Sequence, residues 1–129
     1  MSGKILLDTN IVIAFFANEE SVVQKMQMSE QFYIPAIVLG ELYFGAKKSS
    51  RPDQNLQRID DLAATTAILS CDYLTAAHYG DVKDELRRKG RPIPENDIWI
   101  AALTRQHDLT LITRDAHFDQ IEKLSSQTW

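Results

Sequence analysis

Four acidic residues sit in settings that a solvated surface does not explain: Asp8, Glu41, Asp97 and Asp115. Asp8 ends the apolar run Ile5-Leu6-Leu7. Glu41 has Ile37, Val38, Phe44 and Gly45 at helical spacing. A carboxylate on such a face is costly unless it is paired or liganded. Asp97 follows Pro94 and is surrounded by Ile98, Ile100 and Ala101, while Asp115 follows Leu111-Ile112-Thr113 after one arginine. Each acid also has an ordinary structural reason. Asp8 and Asp115 suit helix caps, and Asp97 gains from the unpaired N–H groups of a first helical turn. Glu41, near Tyr43, Lys47 and Lys48, can reach water at the edge of its stripe. Their combination is harder to explain. Clustered carboxylates repel one another and raise each other's pKa values. The simplest compensation is a hard divalent cation, Mg²⁺ or Mn²⁺, which takes oxygen ligands.

For these acids to meet, the chain must bring strand ends and helix faces together. Residues 5–7 form a short, very apolar strand followed by the polar Asp8-Thr9-Asn10. Helices are expected over residues 11–17 and 20–28. A second strand over 32–34 stops at Pro35. Helices over 36–48 and 55–65 follow, the second with Leu56, Ile59, Leu62 and Ala63 at three- and four-residue spacing. A weak third strand covers 68–71. A long helix over 75–89 is closed by Gly90. Pro94 opens a helix to about residue 106, a fourth strand covers 109–113, and a short helix covers 116–123. Short strands alternating with helices predict an α/β fold, an α/β/α sandwich around a mostly parallel sheet of four or five strands with the first strand central. Chemistry in such sheets gathers beyond the carboxyl ends of the strands, which is where Asp8 and Asp115 fall.

With 129 residues, no repeat and no Pro/Gly/Ser-rich linker, the chain reads as one domain over 1–129. The polar stretch 47–55 is short enough for a helix–helix connection. Hydrophobic residues make up 44% and charged residues 25%, as in an ordinary globular protein. The single cysteine, Cys71, excludes an intramolecular disulfide framework. Neither a membrane span nor a signal peptide is evident, so a cytoplasmic location is expected. A net charge of -4 argues against a non-specific DNA coater but leaves a nucleic-acid enzyme with an acidic metal site open. The Asp8-Thr9-Asn10 turn lacks the glycines of a dinucleotide-binding loop, and no Walker loop is present. An aspartyl phosphatase would want an acid where Asn10 stands.

Four stretches carry a family resemblance: Leu6-Leu7-Asp8-Thr9-Asn10-Ile11, Glu41-Leu42-Tyr43-Phe44-Gly45-Ala46, Asn96-Asp97-Ile98-Trp99-Ile100-Ala101-Ala102, and Leu111-Ile112-Thr113-Arg114-Asp115 with His117-Phe118. In this order they resemble the PIN-domain ribonucleases, in particular the VapC toxins of bacterial and archaeal toxin–antitoxin pairs. The resemblance spans nearly the whole chain. It implies a PIN-like sandwich and a metal site formed by Asp8, Glu41, Asp97 and Asp115, with one or two Mg²⁺ or Mn²⁺ ions. It gives Thr113 a supporting place beside the acids, and Asn10, two residues after Asp8, is a further supporting candidate. It implies an endoribonuclease, a homodimer, and inhibition by a cognate antitoxin through which DNA is bound only indirectly.

The expected chemistry is hydrolysis by a metal-activated water, leaving a 5′-phosphate and a 3′-hydroxyl. No histidine is required, and His78, His107 and His117 each read as surface or packing residues. Lys83, Arg87, Arg88, Lys89 and Arg91 form the densest basic patch, and Arg114 is the cation nearest a site acid. Arg114, Arg87, Arg88 and Arg91 are the candidates for RNA phosphate contacts; the alternative for each is a solvated side chain, favourable near a helix C-terminus. Phe15, Phe16, Tyr43, Phe44 and Trp129 are candidates for interfaces, with core packing as the alternative. Two other functions remain open: a catalytically silent PIN-like module binding RNA or protein, and a metal-dependent DNA nuclease.

Overall fold

The computed structural model describes residues 4–129. Met1, Ser2 and Gly3, with which the signal-peptide reading begins, lie outside the described residues. The chain starts in β1 (Lys4–Leu7), whose Ile5, Leu6 and Leu7 are buried. It continues through α1 (Thr9–Phe16), α2 (Glu20–Met28), β2 (Gln31–Pro35), α3 (Ala36–Lys48), α4 (Pro52–Thr65) and β3 (Ala67–Leu69). Then come α5 (Tyr73–Lys89), α6 (Glu95–Gln106), β4 (Thr110–Ile112), a 3-10 turn (Ala116–Gln120) and β5 (Ser126–Gln127).

Among the described residues the five strands form one sheet in the order β3-β2-β1-β4-β5, all neighbours parallel. The apolar β1 is central, as expected for a strand buried on both faces. The chain builds outward on one side of β1 through β2 and β3, then returns to its other side for β4 and β5. The gap between β1 and β4 is therefore a topological switch point, where open α/β sheets place their ligands. Register fixes what meets there. Leu7 pairs with Ile112, so Asp8 and Thr113 emerge side by side, and the Asp8 N–H donates to the Ile112 carbonyl at 3.0 Å.

Helices flank the sheet. In α6, Ile98, Ile100, Ala101, Ala102, Leu103 and Thr104 are all buried, the pattern of a helix enclosed on most sides. The Thr104 hydroxyl satisfies itself by donating to the Ile100 carbonyl at 2.8 Å. α5 packs on α6, and α3 on α4. Of the aromatics considered for interfaces, Phe15, Phe16, Tyr43 and Trp129 pack against the core, whereas Phe44 is exposed.

Element boundaries shift for identifiable reasons. α4 begins at Pro52 rather than at residue 55, because proline is tolerated in a first turn where no N–H is needed. The connection before it shrinks to residues 49–51. α5 begins at Tyr73 because Asp72 and Thr75 form a reciprocal cap, each side chain accepting from the other's backbone N–H at 3.0 Å. β3 is correspondingly earlier than expected, and Ser70 and Cys71 lead into that cap. Gly90 ends α5 with a φ of 63°, a left-handed conformation that glycine adopts without strain. The short final helix is a 3-10 turn, and β5 pairs Ser126 and Gln127 with Leu111 and Ile112.

Candidate active site

Asp8 stands at the end of β1 and caps α1. Its carboxylate accepts from the Thr9 N–H at 2.8 Å and from the Thr113 hydroxyl at 2.7 Å, with the Asn10 amide at 3.4 Å. Asn10 in turn accepts from the Arg114 N–H at 3.1 Å, tying the start of α1 to the loop after β4. Thr113 works in both directions, because its oxygen also accepts from the Asp115 N–H at 3.0 Å. One hydroxyl thus fixes two of the acids that the sequence singled out.

Glu41 comes from the middle of α3 and is half-buried. The Thr9 hydroxyl donates to its carboxylate at 2.6 Å, which holds it beside Asp8. Asp97, in the first turn of α6, has a side chain only 12% exposed. Asp115 caps the 3-10 turn by accepting from the His117 N–H at 2.9 Å.

That turn brings in a residue that the sequence reading had placed on the surface or in the packing. His117 is not an isolated histidine. Its Nδ1 lies 3.0 Å from a carboxylate oxygen of Asp97 and 3.0 Å from one of Asp115. The Asp115-Ala116-His117 spacing, directly after a strand end, was the available signal. It becomes meaningful only when a tight 3-10 turn folds the ring back over its own cap. Thr9, the donor to Glu41, was also missed as a positioning residue. Ligand atoms of Asp97, Asp115 and His117 all lie within 4.8 Å of one another. Asp8 and Glu41 are outside that tight trio, but Asp8 is close enough to feel the charges of Glu41 and Asp115 and to act on Asp97.

The electrostatics follow from this crowding. Burial pushes the Asp8 carboxyl above its ordinary range, Thr113 and the Thr9 N–H pull it down, and the charges on Glu41 and Asp115 push it up again. Asp97 is pushed up to about 6, first by burial, against the lowering effect of the His117 bond, with Asp8 and Asp115 repelling it. The bond to Asp97 is the main reason that the His117 imidazole binds its proton more tightly than usual. Buried acids held above their normal range mark a place short of positive charge. Their hard oxygen donors, with one imidazole nitrogen, fit a divalent cation.

Basic side chains around the site are not equally available. The Arg114 guanidinium makes a two-pronged contact with Glu19, at 3.1 and 2.6 Å, and donates to the Trp129 carbonyl at 2.7 Å. Arg87 and Arg88 both pair with Asp84. Lys83 pairs with Glu95, and Lys89 with Glu122. Arg91 lines a groove together with Pro92, Ile93, Ala116, His117 and Gln120, so it shares a surface with His117, one member of that trio. A second groove has Glu41 and Thr9 in its lining, with Ile13, Phe16, Leu42 and Arg58.

Comparison with known proteins agrees with this geometry. The PIN domain pattern matches residues 5–124. Ribonuclease VapC2 of Haemophilus influenzae is 36% identical in an alignment that covers 98% of each chain. The tRNA(fMet)-specific endonuclease VapC of Shigella flexneri is 33% identical, again with 98% of each chain covered. Among solved structures, DNA-bound VapBC from Salmonella typhimurium superposes with a TM-score of 0.91 at 30% identity, covering 100% of this chain and 99% of the other. A five-stranded parallel sheet with acids gathered at its switch point, and a match along nearly its full length, mean that this chain belongs to the PIN-domain family.

Proposed function

We propose that this protein is a Mg²⁺- or Mn²⁺-dependent endoribonuclease toxin that hydrolyses RNA phosphodiester bonds and is inhibited by a cognate antitoxin. The observation that carries the reading is the convergence of Asp8, Asp97 and Asp115 on one switch point, with two of the three held above their ordinary pKa range. Asp8, Glu41, Asp97 and Asp115 would hold one or two ions. A bound divalent ion would supply Lewis acidity, easing the loss of a proton from water and offsetting charge on the phosphate.

This chain's own residues do the positioning. Thr113 orients Asp8, Thr9 orients Glu41, and Asn10 holds the Arg114 backbone so that the loop after β4 keeps its place. Arg91, on the groove that reaches His117, is the side chain best placed to take an RNA phosphate. Arg87 and Arg88 are secondary, being shared with Asp84, and Arg114 acts as a clamp on Glu19. Water attacks phosphorus and the 3′ oxygen leaves, so the products carry a 5′-phosphate and a 3′-hydroxyl.

The partners follow from the relatives. The Salmonella typhimurium neighbour is a VapBC complex bound to DNA. It supports a cognate antitoxin as the partner of this chain; DNA would then be reached through that antitoxin. A second copy of the chain is the other partner. The exposed Ile13 and Phe44 supply apolar surface that such partners would cover.

The test is cleavage of an RNA pool, with tRNA(fMet) as the first individual substrate because a relative is named for it. Wild type and Asp8→Asn are compared in Mg²⁺, Mn²⁺ or EDTA, with a DNA oligonucleotide in parallel. RNA cleavage by wild type only, and only with metal, is expected. Equal cleavage by Asp8→Asn, cleavage in EDTA, or a preference for DNA overturns the reading.

A further inference from the structure

We propose that His117 is itself a ligand, through Nδ1, of an ion shared with Asp97 and Asp115, and that this mixed nitrogen–oxygen position favours Mn²⁺ over Mg²⁺. The inference rests on the metal-dependent reading above and adds to it a ligand and a choice of metal. Three donor atoms from three residues lie within 4.8 Å of one another. Nδ1 is 3.0 Å from the Asp97 oxygen and 3.0 Å from the Asp115 oxygen. Neighbouring donors on an octahedral ion with bonds of about 2.1 Å are about 3.0 Å apart, so this spacing is already that of two octahedral edges. A hydrogen bond has the same spacing. In the metal-free protein one Nδ1–H proton serves two carboxylates, and a cation can replace it without moving the ring.

The surroundings hold the ring there. The His117 backbone N–H is bonded to the same Asp115 oxygen that faces Nδ1. The Asp115 backbone is held by Thr113, and Phe118, the next residue, is buried in the core. The imidazole is half-exposed, so an ion can enter and leave from solvent. Chemistry then decides the metal. Mg²⁺ prefers an all-oxygen environment and gives up water reluctantly. Mn²⁺ is the weakest binder of the first-row transition-metal series, but it takes carboxylates as Mg²⁺ does and, as the softer and less tightly hydrated ion, accepts an imidazole nitrogen beside them more readily. The oxygen-only side of the pocket, formed by Asp8 and Glu41, has no such bias.

Pulsed EPR on Mn²⁺-loaded protein reads nitrogen coordination directly. Wild type should show a ¹⁴N coupling that changes to the ¹⁵N pattern when the three histidines are isotopically labelled and that disappears in His117→Gln. Calorimetry should show Mn²⁺ affinity weakened about tenfold or more in His117→Gln, with Mg²⁺ affinity changed much less. Mn²⁺ bound by wild type and lost in Asp8→Asn, but without histidine coupling, sinks the ligand assignment and leaves the nuclease reading standing. An unchanged Mn²⁺-to-Mg²⁺ preference in His117→Gln also overturns it. Failure of wild type to bind Mn²⁺ at all overturns both.

Discussion

Replacing Asp97 by asparagine should make the metal-free protein more stable while destroying its activity. Asp97 is pushed from an ordinary 3.8 up to about 6 in the folded state. Below about pH 4 the carboxyl is protonated whether the chain is folded or not, and the shift has no effect on stability. Between about pH 4 and pH 6 the unfolded chain releases the proton while the folded one retains it, so stability falls as pH rises. Above that window the penalty is complete. About two pKa units at roughly 1.4 kcal/mol each give an upper bound near 3 kcal/mol. This bound already includes the opposing help of His117, part of which the amide also loses. A gain of about 1–2 kcal/mol at pH 7.5 is therefore expected for Asp97→Asn, or roughly 3–10 °C in thermal midpoint for a chain of this size. Urea unfolding in EDTA at pH 7.5 and pH 4.5 tests it. The variant should be the more stable at the higher pH and nearly equal to wild type at the lower. Loss of stability at pH 7.5, or a gain that does not change with pH, would refute the claim that Asp97 is a crowded, desolvated acid awaiting positive charge.

Other consequences concern the supporting residues. Thr113→Val removes the hydroxyl that lowers the Asp8 pKa; cleavage should fall about tenfold or more, and the acidic limb of its pH–rate profile should move to higher pH. Arg91→Ala should weaken RNA binding and reduce the slope of log affinity against log salt by about 0.7, the loss of one single-strand phosphate contact. Arg87→Ala should do less, because Asp84 already engages that side chain. Arg114→Ala, which frees Glu19, should lower the thermal midpoint while leaving the salt dependence of RNA binding unchanged.

The site was legible in sequence wherever a charge interrupted an apolar pattern. Asp8 after Ile5-Leu6-Leu7 and Asp97 among Ile98, Ile100 and Ala101 stand out because burial of a carboxylate demands a reason, and both are buried. The parallel order around β1 was legible because a very apolar strand belongs at the centre of a sheet. Contacts made across long stretches of chain were not. Arg114 looked free beside Asp115, yet Glu19, 95 residues away, takes its guanidinium. The Asp115-Ala116-His117 spacing gives His117 its meaning only through the 3-10 turn, which the hydropathy of its neighbours does not reveal. β5 contributes two residues to the sheet, too few to leave a period-two pattern.

Convergence of the acids on a common ion is tested most directly by combining substitutions. RNA cleavage rates of Asp8→Asn, Glu41→Gln, Asp97→Asn and Asp115→Asn should be compared with those of the Asp8→Asn/Asp97→Asn double variant at saturating Mn²⁺. Residues that act as one unit lose activity non-additively. Loss of Asp8 or Asp97 alone should therefore cost about a thousandfold or more, and the double variant should be scarcely worse than either single. Multiplying losses in the double variant, or single variants that retain most of their activity, would mean that these carboxylates do not serve a shared catalytic centre.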